Sequence, residues 1–155
     1  EGDTPLSVVS VPAVLDDVMA LYGGGSSPLV SFEQDAPHDL PTVVSRGSEL
    51  KEVLVNLMEN ARDAIGDRGL VRICGRLDGD DAVVIEVVDD GSGIDEDLLP
   101  RIFEPRFSTR STGAGLGLPI VQRLVNSWGG SVEVTSVPGE GTTVSVRLQR
   151  SDSRN

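Results

Sequence analysis

Asn56, Asn60 and Asp63 recur at helical spacing within residues 48–66, SELKEVLVNLMENARDAIG. At about 100° per residue they line up as one stripe. A merely solvated stripe would favour Lys and Glu, because Asn and Asp compete with the backbone for hydrogen bonds and weaken a helix. The stripe therefore points to a ligand or a metal, with an amphipathic helix carrying incidental Asn as the plainer alternative. A second group begins at Asp89, in DDGSGI over residues 89–94, where an acidic side chain meets two glycines at the expected end of a strand. Strand ends of this kind often hold ligands, although an Asp-Gly turn also arises for conformational reasons alone. A third is GAGLGL, residues 113–118, which leads into a helix with Pro119 near its start. Free N–H groups and the helix dipole at such a terminus attract an anion, and glycines let a phosphate come close. A purely structural glycine turn stays open there. The loop lacks the Gly-Lys-Ser/Thr of a P-loop and does not directly follow a strand, as a Rossmann fingerprint does. Arg106 and Arg110 lie just before it, and the small polar run STRSTGAG at 108–115 offers little apolar burial. That run is expected to be mobile and to carry cationic groups to phosphate.

These groups need a frame, and the apolar pattern supplies one. Leu50, Val53, Leu54, Leu57, Met58, Ala61, Ala64 and Ile65 form a continuous helical stripe, with Ser48 as N-cap, Glu49 favoured by the helix dipole and Gly66 as the end. Ahead of it the pattern predicts a strand over 6–11, a helix from Pro12 to about Tyr22, a break at 23–28, and short strands over 29–33 and 40–44. After it, alternation predicts a hairpin of 71–77 with 83–88 turning at 78–81. Asp95 is expected to cap a short helix that Pro100 stops or bends. A helix from residue 118, with Val121, Leu124, Val125 and Trp128 apolar, ends at Gly129-Gly130, and a second hairpin pairs 132–135 with 144–148. Residues 150–155 are expected to fray.

Composition bounds the rest. At 155 residues and 38% hydrophobic content, one core and one domain are expected. Aromatics are only 3%, so Val, Leu and Ile must build that core, which favours an α/β layered domain. The single cysteine, Cys74, forms no internal disulfide, and no long apolar run is present, so a cytoplasmic setting is expected. Cys74 reads as a packing residue, and His38, between a proline and an aspartate, as a solvated one. The opening Glu1 suggests a segment of a longer protein. A net charge of −12 argues against nucleic acid or an anionic membrane as partner. A small polyanion would instead need a divalent cation, oriented N–H groups or a few placed arginines.

In order and interval, Asn56-x-x-x-Asn60, Asp89-x-Gly91-x-Gly93, Phe103 to Phe107, Gly113-x-Gly115-Leu116-Gly117-Leu118 and Gly139-x-Gly141-Thr142 resemble the boxes of the ATP-binding catalytic domain of bacterial sensor histidine kinases. That family sits in the wider gyrase and heat-shock-chaperone ATPase group. The resemblance covers residues 6–149, and NARDA with IFEPRFSTR looks most like the nitrogen-regulation and hybrid-kinase branches. It implies a two-layer α/β sandwich, with a mixed, mostly antiparallel sheet covered on one face by three helices. It implies ATP and Mg²⁺ as cofactors, with Asn60 as the metal ligand and Asn56 at the phosphate end. Asp89 would accept a hydrogen bond from the adenine amine, Thr142 would support that contact, and Asp63 would lie beside the base. Gly91, Gly93 and Ile94 would border the base. Gly113, Gly115, Leu116, Gly117 and Leu118 would bind phosphates, and a lid over 104–112, with Phe103, Arg106, Ser108, Thr109 and Arg110, would close on them. Asn56 and Arg110 would position the nucleotide. No further catalytic side chain is implied within the chain.

Two departures stand out. Asn56 occupies the place of the general-base glutamate of the ATP-hydrolysing relatives, so transfer to a protein side chain fits better than rapid hydrolysis. Arg106 stands where the phenylalanine box carries a second aromatic. The resemblance further implies a phosphoacceptor histidine on a separate helical dimerisation domain of the same parent, a homodimeric parent that is membrane-anchored in some cases, a monomeric isolated domain, and a response regulator as partner. Alternatives are a serine/threonine kinase of the anti-sigma-factor type and a non-enzymatic nucleotide-binding regulator.

Overall fold

The computed structural model describes residues 5–22, 29–46, 48–66, 68–104 and 117–151. Its centre is α2 (Glu49–Ile65), whose Leu50, Val53, Leu54, Leu57, Met58 and Ala61 are all buried. Spaced three and four apart, they present one face to the sheet, while Ala64 and Ile65 near the end are half-buried. Gly66 closes the helix with a positive φ of 81° and an N–H donated to the Arg62 carbonyl. Ser48 does not cap the other end as expected. Its ψ of 0° continues a turn in which the Glu49 N–H bonds the Arg46 carbonyl, and no side-chain cap bond forms. Glu49 lies in the first turn as expected for the dipole, and it also accepts a 3.0 Å hydrogen bond from the indole N–H of buried Trp128.

The sheet that α2 covers runs β2 (Val30–Asp35), β4 (Gly69–Asp78), β5 (Ala82–Asp89), β7 (Gly141–Gln149), β6 (Ser131–Val137), with β2 and β4 parallel and every other pair antiparallel. Helices α1 (Val11–Ala20) and α3 (Leu118–Ser127) flank α2 on the same face. Along β4 and β5, Val71, Ile73, Val83, Ile85 and Val87 face this layer and are buried, and their neighbours Arg72 and Arg76 are exposed. The expected mostly antiparallel sandwich is therefore present. It has one addition: β1 (Ser7–Val9) and β3 (Val43–Ser45) form a separate two-stranded sheet.

Several boundaries differ from the pattern reading by one to three residues, β3 beginning at Val43 instead of Leu40 among them, and three differences have a visible cause. Val11, expected at the end of the first strand, is the first residue of α1, because the Ser10 hydroxyl accepts the Ala13 N–H and caps the helix. Pro100 lies within a short 3-10 turn (Leu99–Arg101) instead of stopping a helix, as a proline near a helix start can. The tail does not fray from residue 150. The Arg150 N–H bonds the Asp81 carbonyl, the Ser151 N–H bonds that of Thr42, and Val43 bridges Arg150. Cys74 is half-buried, with its thiol pushed up by burial, and His38 is exposed in a turn, as expected.

Candidate functional site

At the end of β5, Asp89 is 7% exposed, one of the few buried polar side chains among the described residues. Its carboxylate accepts the Gly91 N–H at 2.8 Å and is also bonded by the Thr142 backbone N–H from β7. Burial pushes its pKa up. The two N–H groups pull it down, and the neighbouring Asp90 charge adds to the rise. Asp90 locks the strand end: its Oδ1 accepts the Leu70 N–H at 2.8 Å while its own N–H bonds the Leu70 carbonyl.

Beyond Asp89 the chain is held between α2 and the β6–β7 turn. A Cβ on Gly91 would lie 2.5 Å from the Ala64 carbonyl oxygen, and the Ser92 N–H bonds that same oxygen. Gly93, at φ 76°, would with a Cβ meet the Val137 carbonyl, and Gly141, at φ 136°, would meet that of Asp89. Backbone therefore does approach these glycines closely, but what approaches is this chain's own backbone. The Ile94 N–H completes the clamp by donating to the Ser136 hydroxyl at 2.8 Å.

The polar stripe of α2 runs away from this clamp. Asp63 is exposed at its near end, Asn60 is half-buried, and Asn56 is 9% exposed with its amide N–H donated to the Glu52 carbonyl at 2.8 Å. The Asn60 side chain makes no hydrogen bond among the described residues. At the start of α3 the cap is Gly117, which has no side chain to offer, and no side-chain cap bond forms there. Pro119 removes one donor, and the Ile120 and Val121 N–H groups both turn to the Gly117 carbonyl. The described residues thus offer a buried carboxylate at the end of β5, two amides one turn apart on α2, and a start of α3 without a side-chain cap.

The family described as histidine kinase-, DNA gyrase B-, and HSP90-like ATPase matches residues 46–152. This chain is a member of that family. It is 36% identical over 141 residues, 90% of its length, to the signal transduction histidine-protein kinase AtoS of Escherichia coli strain K12, and it spans 23% of that protein. It is 32% identical over 143 residues to the sensory histidine kinase/phosphatase NtrB of Rhodobacter capsulatus, of which it spans 40%. The catalytic domain of histidine kinase ThkA, nucleotide-free, shares the fold at a TM-score of 0.82 and 24% identity, covering 94% of this chain and 96% of that one. Full-length ShkA in complex with AMPPNP aligns at a TM-score of 0.78 and 28% identity over 96% of this chain and 32% of that one. Fold and sequence are thus those of the ATPase catalytic domain of sensor histidine kinases, and the chain spans about a quarter of the length of AtoS and of the ZraS kinases that it also matches.

Within this ATPase domain the structure gathers Asp89, Gly91, Gly93, Ile94 and Thr142 into one clamp against the end of α2, and places Asn56, Asn60 and Asp63 along that helix. Phe103 is half-buried beside buried Ile102, and Gly117 and Leu118 open α3. Arg106, Ser108, Thr109, Arg110, Gly113, Gly115 and Leu116, with the lid expected over them, lie outside the described residues. Sequence reasoning missed Ser136 and Asp90. Ser136 was within reach: extending the second hairpin by two pairs beyond Val134 and Val144 sets it opposite Thr142, the register observed.

No helix among the described residues is long and apolar enough to cross a membrane. Two shallow cavities, of about 210 and 350 Å³, lie at the outer edge by Gly129 and on the open sheet face by Arg76. Neither includes a residue of the clamp or of the α2 stripe.

Proposed function

We propose that this domain binds ATP with its base at Asp89 and its phosphates toward Asn60 and the start of α3, and passes the γ-phosphoryl group to a histidine on a helical domain of the same parent protein. The observation that carries the reading is Asp89: buried, fixed by two backbone N–H groups, and able only to accept, it suits the exocyclic amine of adenine. Thr142 and Ile94 border that position, with Asp63 nearby on α2. The γ-phosphorus–oxygen bond to ADP breaks as a phosphorus–nitrogen bond to the imidazole forms. The chain's contribution is to hold the phosphates in line and to supply donors from the α3 terminus, with Arg106 and Arg110 adding positive charge.

The residues present fit Mg²⁺. Among the described residues no cluster of three His, Cys, Asp or Glu builds a metal cage, while Asn60 offers one amide oxygen without a protein partner. A hard cation that brings phosphate and water oxygens needs little more. When bound it would neutralise phosphate charge in a domain whose own net charge is −12. The names of the relatives support a two-component pathway, and a ThkA structure in complex with the response regulator TrrA shows one such kinase with its partner. A response regulator and a homodimeric, cytoplasm-facing parent follow as proposals for this chain.

Calorimetry of ATP and ADP binding with Mg²⁺ and with EDTA tests the reading. Binding that weakens on chelation and falls steeply in Asn60→Ala, but survives in Asn56→Ala, supports it. Affinity indifferent to chelation would remove Asn60 from the metal role.

A further inference from the structure

The Ser136 hydroxyl has three partners and one proton. It accepts from the Ile94 N–H at 2.8 Å, donates to the Gly141 carbonyl at 2.9 Å, and lies 2.9 Å from the Thr142 hydroxyl. An amide N–H can only donate and a carbonyl can only accept, so those two bonds take one lone pair and the single proton of Ser136. What remains for Thr142 is the second lone pair. The proton of Thr142 therefore points to Ser136, and both lone pairs of Thr142 are left to face whatever the clamp holds.

From this count we infer that Ser136 is a specificity-determining positioning residue, which fixes the Thr142 hydroxyl as an obligate acceptor so that the site takes a 6-amino purine and turns away a 6-keto purine. The inference rests on the base lying at Asp89. Asp89 alone leaves part of the selectivity open, because a hydroxyl beside it that could rotate would offer its proton to a 6-keto oxygen. Ser136 closes that option. Its place in the fold suits this role. It is half-buried on β6, directly opposite Thr142 in register, and it ties Ile94 of the strand-end loop to Gly141, whose positive φ lets β7 begin against Asp89. Linked hydrogen bonds polarise one another and so hold the protons of this network in one arrangement.

ATP and ITP differ at purine position 6, an amine against a carbonyl, and at the adjoining N1, an acceptor in ATP and an N–H in ITP, and so form the matched probe. Binding of both to the chain, to Ser136→Ala and to Ser136→Thr is measured by calorimetry with Mg²⁺. The ratio of ATP to ITP affinity is expected to fall roughly tenfold in Ser136→Ala, as the freed Thr142 hydroxyl turns to donate, and to return in Ser136→Thr, which restores the hydroxyl. Equal weakening of both nucleotides in Ser136→Ala, with the ratio unchanged, would show that Ser136 only braces the loop and would overturn the inference. Should Ser136→Ala not fold, Thr142→Val carries the same test: loss of the acceptor lowers the ratio, and an unchanged ratio overturns the inference equally. An unmutated chain that binds ATP and ITP alike defeats the placement of the base at Asp89, and the role of Ser136 falls with it.

Discussion

The Asp89 carboxylate is held by the N–H groups of Gly91 and Thr142 before any ligand arrives, whereas Asn60, on α2, presents an amide with no protein partner among the described residues. The proposed base end is built by the chain for itself. Gly91 and Ser92 are pressed on the end of α2, Gly93 on Val137 and Gly141 on Asp89, with Ser136 joining them. At the proposed phosphate end the described residues offer Asn60 and a helix whose cap is a glycine with no side chain to give. Groups that satisfy one another contribute to folding, and groups left without partners contribute only when a ligand arrives. Substitutions at the two ends should therefore separate stability from binding.

The largest effect is expected from Gly141→Ala. Its positive φ and the Asp89 carbonyl in the path of a Cβ require the backbone to shift, which should cost about 3 kcal/mol or more of stability. Urea unfolding of the two proteins measures it. A stable Gly141→Ala that merely bound nucleotide less well would erase the contrast between the ends.

Asn60→Ala should behave in the opposite way, with the urea midpoint nearly unmoved, a change within about 0.5 kcal/mol, and Mg²⁺-dependent nucleotide affinity lowered roughly a hundredfold. Asp89→Asn should have a somewhat smaller effect on affinity. Exchanging the carboxylate for an amide should weaken ATP by about tenfold to a hundredfold and relax discrimination against guanine nucleotides, since hydrogen bonds to charged groups contribute about 1.5–3 kcal/mol. Competition binding with GTP reads that change directly, and a chain that binds ATP and GTP equally before mutation would contradict the role of Asp89.

The smallest effect is a pH dependence. Burial lifts the folded pKa of Asp89 above its ordinary 3.8, so the folded chain holds a proton where the unfolded chain has released it. The contribution of this carboxyl to stability is then most favourable below 3.8 and is lost as pH rises through the raised value. Nucleotide binding, which uses the charged form, should change in the other direction and weaken as pH falls through that same raised value. Paired unfolding and binding curves for the unmutated chain and Asp89→Asn isolate both slopes. Identical slopes in the two proteins would show that Asp89 does not titrate in this window.

Much of this was legible in the chain itself. The α2 stripe, both hairpins and the α3 helix follow from spacing, because each buries an apolar face on a single core. Asp89 and the asparagines stood out because their types disagree with a solvated face. Hydroxyl partners were harder to find: Ser136 in a strand is an ordinary residue until the register sets it beside Thr142 and Ile94. The same holds for Ser48, whose type suits a cap while its ψ of 0° does not. Arg150 and Ser151 look like a polar tail in sequence, and only the backbone of Asp81 and Thr42, distant along the chain, gives them a place.

The most direct test of the account combines the domain, Mg²⁺ and ATP labelled at the γ-phosphate with a histidine-bearing helical dimerisation domain from its parent protein, and follows the label. Transfer to the helical partner as an acid-labile phosphohistidine, abolished by Asn60→Ala in a chain that remains folded, is the predicted result. A domain that binds Mg²⁺ and ATP yet leaves that partner unlabelled would contradict the account.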